Sequence, residues 1–204
     1  MASSKAAVRV IDSEFQEQAI APLIGKLLES LQEDPRRDGL LRTPERADKA
    51  LRFLTSGYRM DLDRIVNNAL YQVKYDAMVV VKDIEFFSLC EHHMLPFFGR
   101  IHVAYLPRKK VIGLSKIPRM VDMFARRLQI QERLTQELAQ AIQEVLDPVG
   151  VGVICHARHF CMMMRGVEKQ HSGAMTSAML GAFREQKETR DEFLALVNHG
   201  HSRY

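Results

Sequence analysis

The chain has 204 residues, 47% hydrophobic and 26% charged, with a formal net charge of +4 and a pI of about 9.0. That is the balance of one globular domain with a small appendage, large enough to bury a core without staples. Three cysteines argue against a disulfide framework, and no apolar run approaches the roughly 20 residues that span a bilayer. Residues 1–10 are polar and lack the apolar heart of a signal peptide, so the expected location is cytoplasmic, with no membrane contact. The positive excess suits an anionic ligand. It is too thinly spread for nucleic acid, because Arg36-Arg37, Lys109-Lys110 and Arg126-Arg127 are too short to be basic arms.

In chain order, residues 1–11 read as a disordered tail, 12–68 as an N-terminal helical segment and 69–204 as the main domain. From Asp12, apolar residues recur at three- and four-residue steps through Phe15, Ala19, Leu23, Leu27 and Leu31, which predicts a helix ending before Asp34-Pro35. Thr43-Pro44-Glu45 reads as N-cap, first helical residue and first-turn acid of a second helix that ends at Gly57. A short third helix is expected over residues 61–67. Residues 71–89 and 97–106 read as two strands joined by Cys90-Glu91-His92-His93-Met94-Leu95-Pro96, followed by a short strand at Val111-Ile112. Two helices follow, one capped by Ser115 and one over residues 131–146, ended by Asp147-Pro148. A long strand over 151–165, an antiparallel partner over 171–183 and a last helix over 190–198 complete an α+β chain. Its sheet is a four-stranded antiparallel one with two helices packed on one face, preceded by the N-terminal helices.

Two stretches carry the chemistry. On a regular strand His159, Cys161 and Arg165 share a face. Cys155 shares it too, but lies six residues, roughly 20 Å, from Cys161, so both cannot bind one ion. Cys90 and His93 are three apart, and a tight turn closes both on one ion while His92 points elsewhere. The reading is Cys90, His93 and Cys161 as zinc ligands with a fourth position open to water, and His92 and His159 as bases beside it. A closed site with His92 or His159 as fourth ligand also satisfies the spacing. Zinc in the open form makes a hydroxide nucleophile at neutral pH. Ser115, Lys116 and Arg119 sit at a predicted helix start, where free N–H groups favour an anion. Arg46 and Lys49 repeat the three-residue spacing on another helix. Gln131-Glu132 opens a third, and a carboxylate there can accept two N–H bonds from an amino-heterocycle.

Cys90-Glu91-His92-His93, Gly113-Leu114-Ser115-Lys116, Gln131-Glu132-Arg133-Leu134-Thr135 and His159-Phe160-Cys161 with Arg165-Gly166 together resemble the zinc-dependent GTP cyclohydrolase I family, over residues 41–197. The resemblance implies a tunnelling fold assembled as a homodecamer with sites at subunit interfaces. It implies hydrolysis of GTP with loss of C8 as formate to give 7,8-dihydroneopterin triphosphate, a precursor of folate and other pterins. By it, Cys90, His93 and Cys161 hold Zn2+, and His92 and His159 transfer protons around C8. Glu132 with Gln131 anchors the guanine. Ser115, Lys116, Arg119 and Arg165 handle triphosphate and ribose, and Arg46 and Lys49 reach in from a neighbouring subunit. Two rival readings are a zinc-stabilised nucleotide-binding module without turnover, and a tunnelling-fold nitrile reductase, which uses a cysteine nucleophile and NADPH.

Overall fold

The structure is a computed structural model that describes residues 19–198; the expected tail at 1–11 and the predicted helix start at 12–18 lie outside the described residues. Helix α1 spans Ala21–Ser30, α2 Thr43–Leu54 and α3 Leu62–Val66, with a 3-10 turn at Ser56–Arg59 between the last two. The first helix starts at Ala21, with Ala19 and Ile20 outside it. Its cap comes from the next helix, since the Asp48 carboxylate accepts from the N–H of Ile20 and of Ala21 at 3.1 Å each. Thr43 is the first helical residue of α2 rather than its cap, and the helix stops at Leu54, short of Gly57. Asp61 caps α3 as a side-chain acceptor for Arg64 N–H.

Gly57 marks a close approach. A Cβ there would stand 2.1 Å from Met123 O, and Gly57 N–H donates to Arg126 O at 2.9 Å. Arg127 completes the joint. Its buried guanidinium donates from Nη2 to Gly57 O at 3.1 Å and from Nε to Met123 O at 2.9 Å, between the rings of Tyr58 and Phe124.

Strands β1 (Leu70–Gln72), β2 (Val79–Cys90), β3 (Pro96–Leu106) and β4 (Lys110–Ile112) lead into α4 (Lys116–Ala125), β5 (Leu128–Gln129) and α5 (Gln131–Leu146). Then come β6 (Gly150–His159), a four-residue helix α6 (Phe160–Met163), β7 (Ala174–Gly181), α7 (Ala182–Glu185) and α8 (Lys187–Asn198). The main sheet has the order β5-β2-β3-β6-β7. Four strands are antiparallel; β5 adds a two-residue parallel edge, pairing Leu89 with Leu128 and Cys90 with Gln129. The predicted strand over 71–89 is therefore two: β1 leaves the main sheet to pair with β4, and β2 begins at Val79. The predicted strand over 151–165 ends at His159, where the backbone turns into α6.

The period-two pattern of β3 sorts its two faces. Ile101, Val103 and Tyr105 enter the main core with Met120, Phe124, Leu134, Leu138 and Ile142 from α4 and α5. Ala104 joins Ile154, Phe183, Phe193 and Val197 in a second cluster on the other face, where α8 packs. Gly152 permits that packing, because a Cβ would press on the Phe183 and Phe193 rings at 2.7 and 2.9 Å. Among the described residues no helix is long and apolar enough to cross a membrane.

Arg127→Ala leaves two buried carbonyls without their donor and a void between two rings. It is expected to destabilise the chain by about 3 kcal/mol, read as a lower urea midpoint at unchanged slope. A shift under about 0.5 kcal/mol would remove the joint's claimed weight.

Candidate functional site

Both β2 and β6 run antiparallel to β3, so they end at the same margin of the sheet. There Phe97 of β3 lies opposite Ser88 on one side and His159 on the other. Two residues beyond each partner stand Cys90 and Cys161. The turn after Cys90 is tight: Met94 N–H donates to Cys90 O at 2.7 Å, and Met94 takes a positive φ of 54° to let the chain reverse. This folds His93 back, and ligand atoms of Cys90, His93 and Cys161 lie within 4.8 Å of one another.

Cys161 reaches the cluster from the first turn of α6 and not from a continuing strand, so the regular-strand argument fails past His159. Cys155 still lies outside the ligand group, fully buried in β6. Burial pushes its thiol up to about 12, despite hydrogen bonds from Thr135, Thr176 and Gln131. The Cys161 thiol is also raised, first by burial and then by the nearby Cys90 sulfur. Two sulfurs this close both ionise readily only with a cation between them. The donor set of two sulfurs and an imidazole fits a borderline-soft divalent ion such as zinc.

His92 does not point away as the spacing suggested. Its Nδ1 lies 3.8 Å from Cys90 Sγ, beside the Nδ1 of His93 at 3.9 Å. The Arg165 guanidinium faces His93 Nε2 at 3.0 Å. His159 is held on two sides: its ring stacks parallel on Phe97 at 4.7 Å, and Nε2 meets Gln131 Oε1 at 2.9 Å. The Gln131 amide nitrogen donates to Cys155 O at 3.0 Å and Ala174 O at 3.2 Å, which leaves only its oxygen facing the ring. Nε2 of His159 must then carry the proton and Nδ1 the lone pair. Burial holds this imidazole below its usual pKa, which keeps it neutral near pH 7.

Side chains outside the donor cluster fasten this margin. Arg133 forms a two-pronged ion pair with Glu91, at 2.6 and 3.0 Å, and lowers the Glu91 pKa by its hydrogen bonds. Buried Gln129 links Arg133, Glu137 and the backbone of Phe124. Phe97 is visible in the sequence only as one more strand aromatic; its place opposite His159 needs the register.

Glu132, at the start of α5, is exposed and makes no side-chain hydrogen bond or ion pair among the described residues, although its charge acts on His159. Ser115 and Arg119 at the start of α4 and Arg46 and Lys49 on α2 are also exposed and make no such bond, and Lys116 is half-buried but likewise unpaired. The start of α4 stands apart from the cluster, and the topology says why. Helix α5 leaves the Cys90 margin at Gln131, and at its far end Val145 O accepts from Lys110 of β4, at 2.7 Å. Its 16 residues put roughly 24 Å between those ends. Ser115, Lys116 and Arg119 follow β4 directly, at the far end.

Thiolate and imidazole donors at the open margin of an α+β sheet, beside a neutral histidine of fixed tautomer, make the class of site that holds a metal ion next to a proton acceptor. Comparison with known proteins agrees. A family model described as GTP cyclohydrolase I matches residues 20–198. The protein named GTP cyclohydrolase 1 of Leptospira biflexa serovar Patoc is 60% identical over 178 residues, 87% of this chain and 97% of its own. That of Synechococcus sp. strain JA-2-3B'a(2-13) is 53% identical over 92% of this chain and 82% of its own. GTP cyclohydrolase 1 2 of Pseudomonas putida is 59% identical over 84% and 92%. A crystal structure of the archaeosine synthase QueF-Like in the apo form aligns at 21% identity and a TM-score of 0.43, over 53% of this chain and 97% of that one. The chain belongs to the GTP cyclohydrolase I family.

Cys161→Ser is expected to weaken zinc retention at least about 100-fold, by analogy with losses at metal-site residues, whereas Cys155→Ser keeps one zinc per chain by atomic emission. Equal loss in both would place Cys155 in the site. Cys155 should also resist iodoacetamide in the folded protein at pH 8, where a thiol titrating near 12 is almost wholly protonated. Carboxymethylation of Cys155 at the rate of a free thiol would contradict its burial.

Proposed function

We propose that this chain is a GTP cyclohydrolase I, hydrolysing GTP with release of C8 as formate to give 7,8-dihydroneopterin triphosphate, in the cytoplasm. The observation that carries the reading is the meeting of Cys90, His93 and Cys161 within 4.8 Å, in a chain 53–60% identical to proteins of that name. These three residues would hold Zn2+. When bound, zinc supplies a Lewis acid that brings the pKa of water toward neutrality.

The remaining roles fall to the chain's own groups. His159 presents a free Nδ1 as proton acceptor, with its ring position set by Phe97 and Gln131. His92 is the second proton carrier, exposed on the Cys90 turn. Glu132 accepts the guanine N–H groups from its unpaired position at the start of α5. Gln131 forms the adjoining wall while its amide holds His159. Arg165, whose guanidinium stands 3.0 Å from His93 Nε2 beside the donor cluster, would take the substrate's ribose and phosphates.

Ser115, as a catalytic hydroxyl, and Lys116 and Arg119 complete the triphosphate site, with Arg46 and Lys49. The separation of α4's start from the Cys90 margin supports a site completed by another copy of the chain, in a homo-oligomer read as a decamer. Unpaired cations at the α4 start fit that reading, because a helix N-terminus disfavours them unless an anion is bound. The nitrile-reductase alternative needs a cysteine nucleophile. Cys155 is fully buried with its thiol at about 12, and the other two cysteines stand in the ligand cluster. That weighs against it.

Zinc-loaded protein incubated with GTP should release formate, and a fluorescent pterin after oxidation, with both lost on chelation. No product from loaded protein would leave only the binding-module reading. Cys161→Ser and Lys116→Ala should each be inactive alone. Refolded together they should regain about a quarter of the wild-type rate if each site draws on two copies. No recovery would mean that one copy supplies both residues.

A further inference from the structure

The second face of the sheet holds a cavity of about 380 Å³ between β3, β6, β7 and the end of α8, and no step above uses it. His102 lines it. The side chain is 4% exposed, and its position follows from a bulge in β2 between Val81 and Ile84. At the bulge Asp83 adopts φ of 59° and its N–H leaves the strand ladder, to be taken up by His102 Nδ1 at 3.2 Å. A nitrogen that accepts a backbone N–H bears no proton, so the neutral ring carries its proton on Nε2. That N–H has no partner among the described residues. That N–H is not sealed from solvent, so an acceptor entering the cavity can reach it.

The surroundings specify the acceptor. His156 stands edge-on to His102 at 5.7 Å. The Arg100 guanidinium is answered by Asp83 at 3.3 Å. Arg158 donates to Gln170 O, and no acid pairs with it among the described residues. The lining thus carries two guanidiniums and one carboxylate, a surplus of one positive charge. Phe98, Met175 and Val197 supply apolar wall. The volume lies in the range of small-molecule sites, which pair an apolar lining with a few placed polar groups.

We propose that this cavity binds a small organic monoanion, a carboxylate on an aromatic or other apolar body. One carboxylate oxygen accepts from His102 Nε2–H, the other from Arg158, and the body lies against Phe98, Met175 and Val197. The site is separate from the metal cluster, and its test does not depend on turnover.

Benzoate and its neutral isostere benzamide serve as probes for the assembled, zinc-loaded protein, by calorimetry and saturation-transfer NMR. Benzoate should bind saturably, one per chain, and at least about tenfold more tightly than benzamide, as a charge-assisted contact requires. Arg158→Gln should weaken benzoate about tenfold and leave benzamide unchanged. Met175→Trp, at the exposed rim, should block both, with the melting temperature showing that each variant is folded. The proposal is overturned if benzoate does not saturate, as when another copy of the chain covers the cavity. Equal affinity for benzamide, or benzoate binding unimpaired in both folded variants, overturns it as well.

Discussion

Strand β3 is the ruler on which the rest is measured. Because β2 and β6 both pair with it antiparallel, Phe97 fixes Ser88 and His159 at one level, and the two sulfurs follow two residues beyond. A slip of one residue in either pairing would turn the whole strand over, moving its core residues to the other face. The register that buries Ile101, Val103 and Tyr105 is thus the one that brings the ligands together. Core burial is worth roughly 1.5–3 kcal/mol per large side chain, so the site's alignment rests on many such terms and not on its own contacts.

A second line of support reaches the same margin from the N-terminal helices. Arg127 ties Gly57 to α4, and Leu128 N–H donates to Tyr58 Oη at 3.1 Å. That anchors β5, which pairs with Leu89 and Cys90. Glu91, one residue on, is gripped by Arg133 of α5. The helical segment thus braces the ligand turn although none of its residues lies in the cluster.

Much of this was legible in the chain. The bounds of helix α5 are legible because its apolar period is regular and Asp147-Pro148 stops it, with Asp147 in the left-handed region. Cys-x-x-His and His-x-Cys point to a donor cluster because their spacing is chemically restrictive, and the structure brings Cys90, His93 and Cys161 within 4.8 Å of one another. The end of β6 was not legible. Phe160, Cys161 and Met163 suit a strand as well as a helix, and local propensity yields to where the chain must turn. The grip of Gln131 on His159 was also hidden, since it depends on two carbonyls 24 and 43 residues away. Nor did sequence show that the start of α4 stands a helix length from the cysteines; that is a matter of direction, which periodicity does not carry.

The ligand set has a kinetic side. Cys90 and His93 meet through a single turn, a closure of the kind chains complete in well under a microsecond. Cys161 lies beyond α4, α5 and β6 in the chain, so its meeting with Cys90 is one of the long-range closures that slow folding. Two of the three donors are thus local and the third depends on the finished sheet, so an ion held by all three would report completion of the fold more than nucleate it.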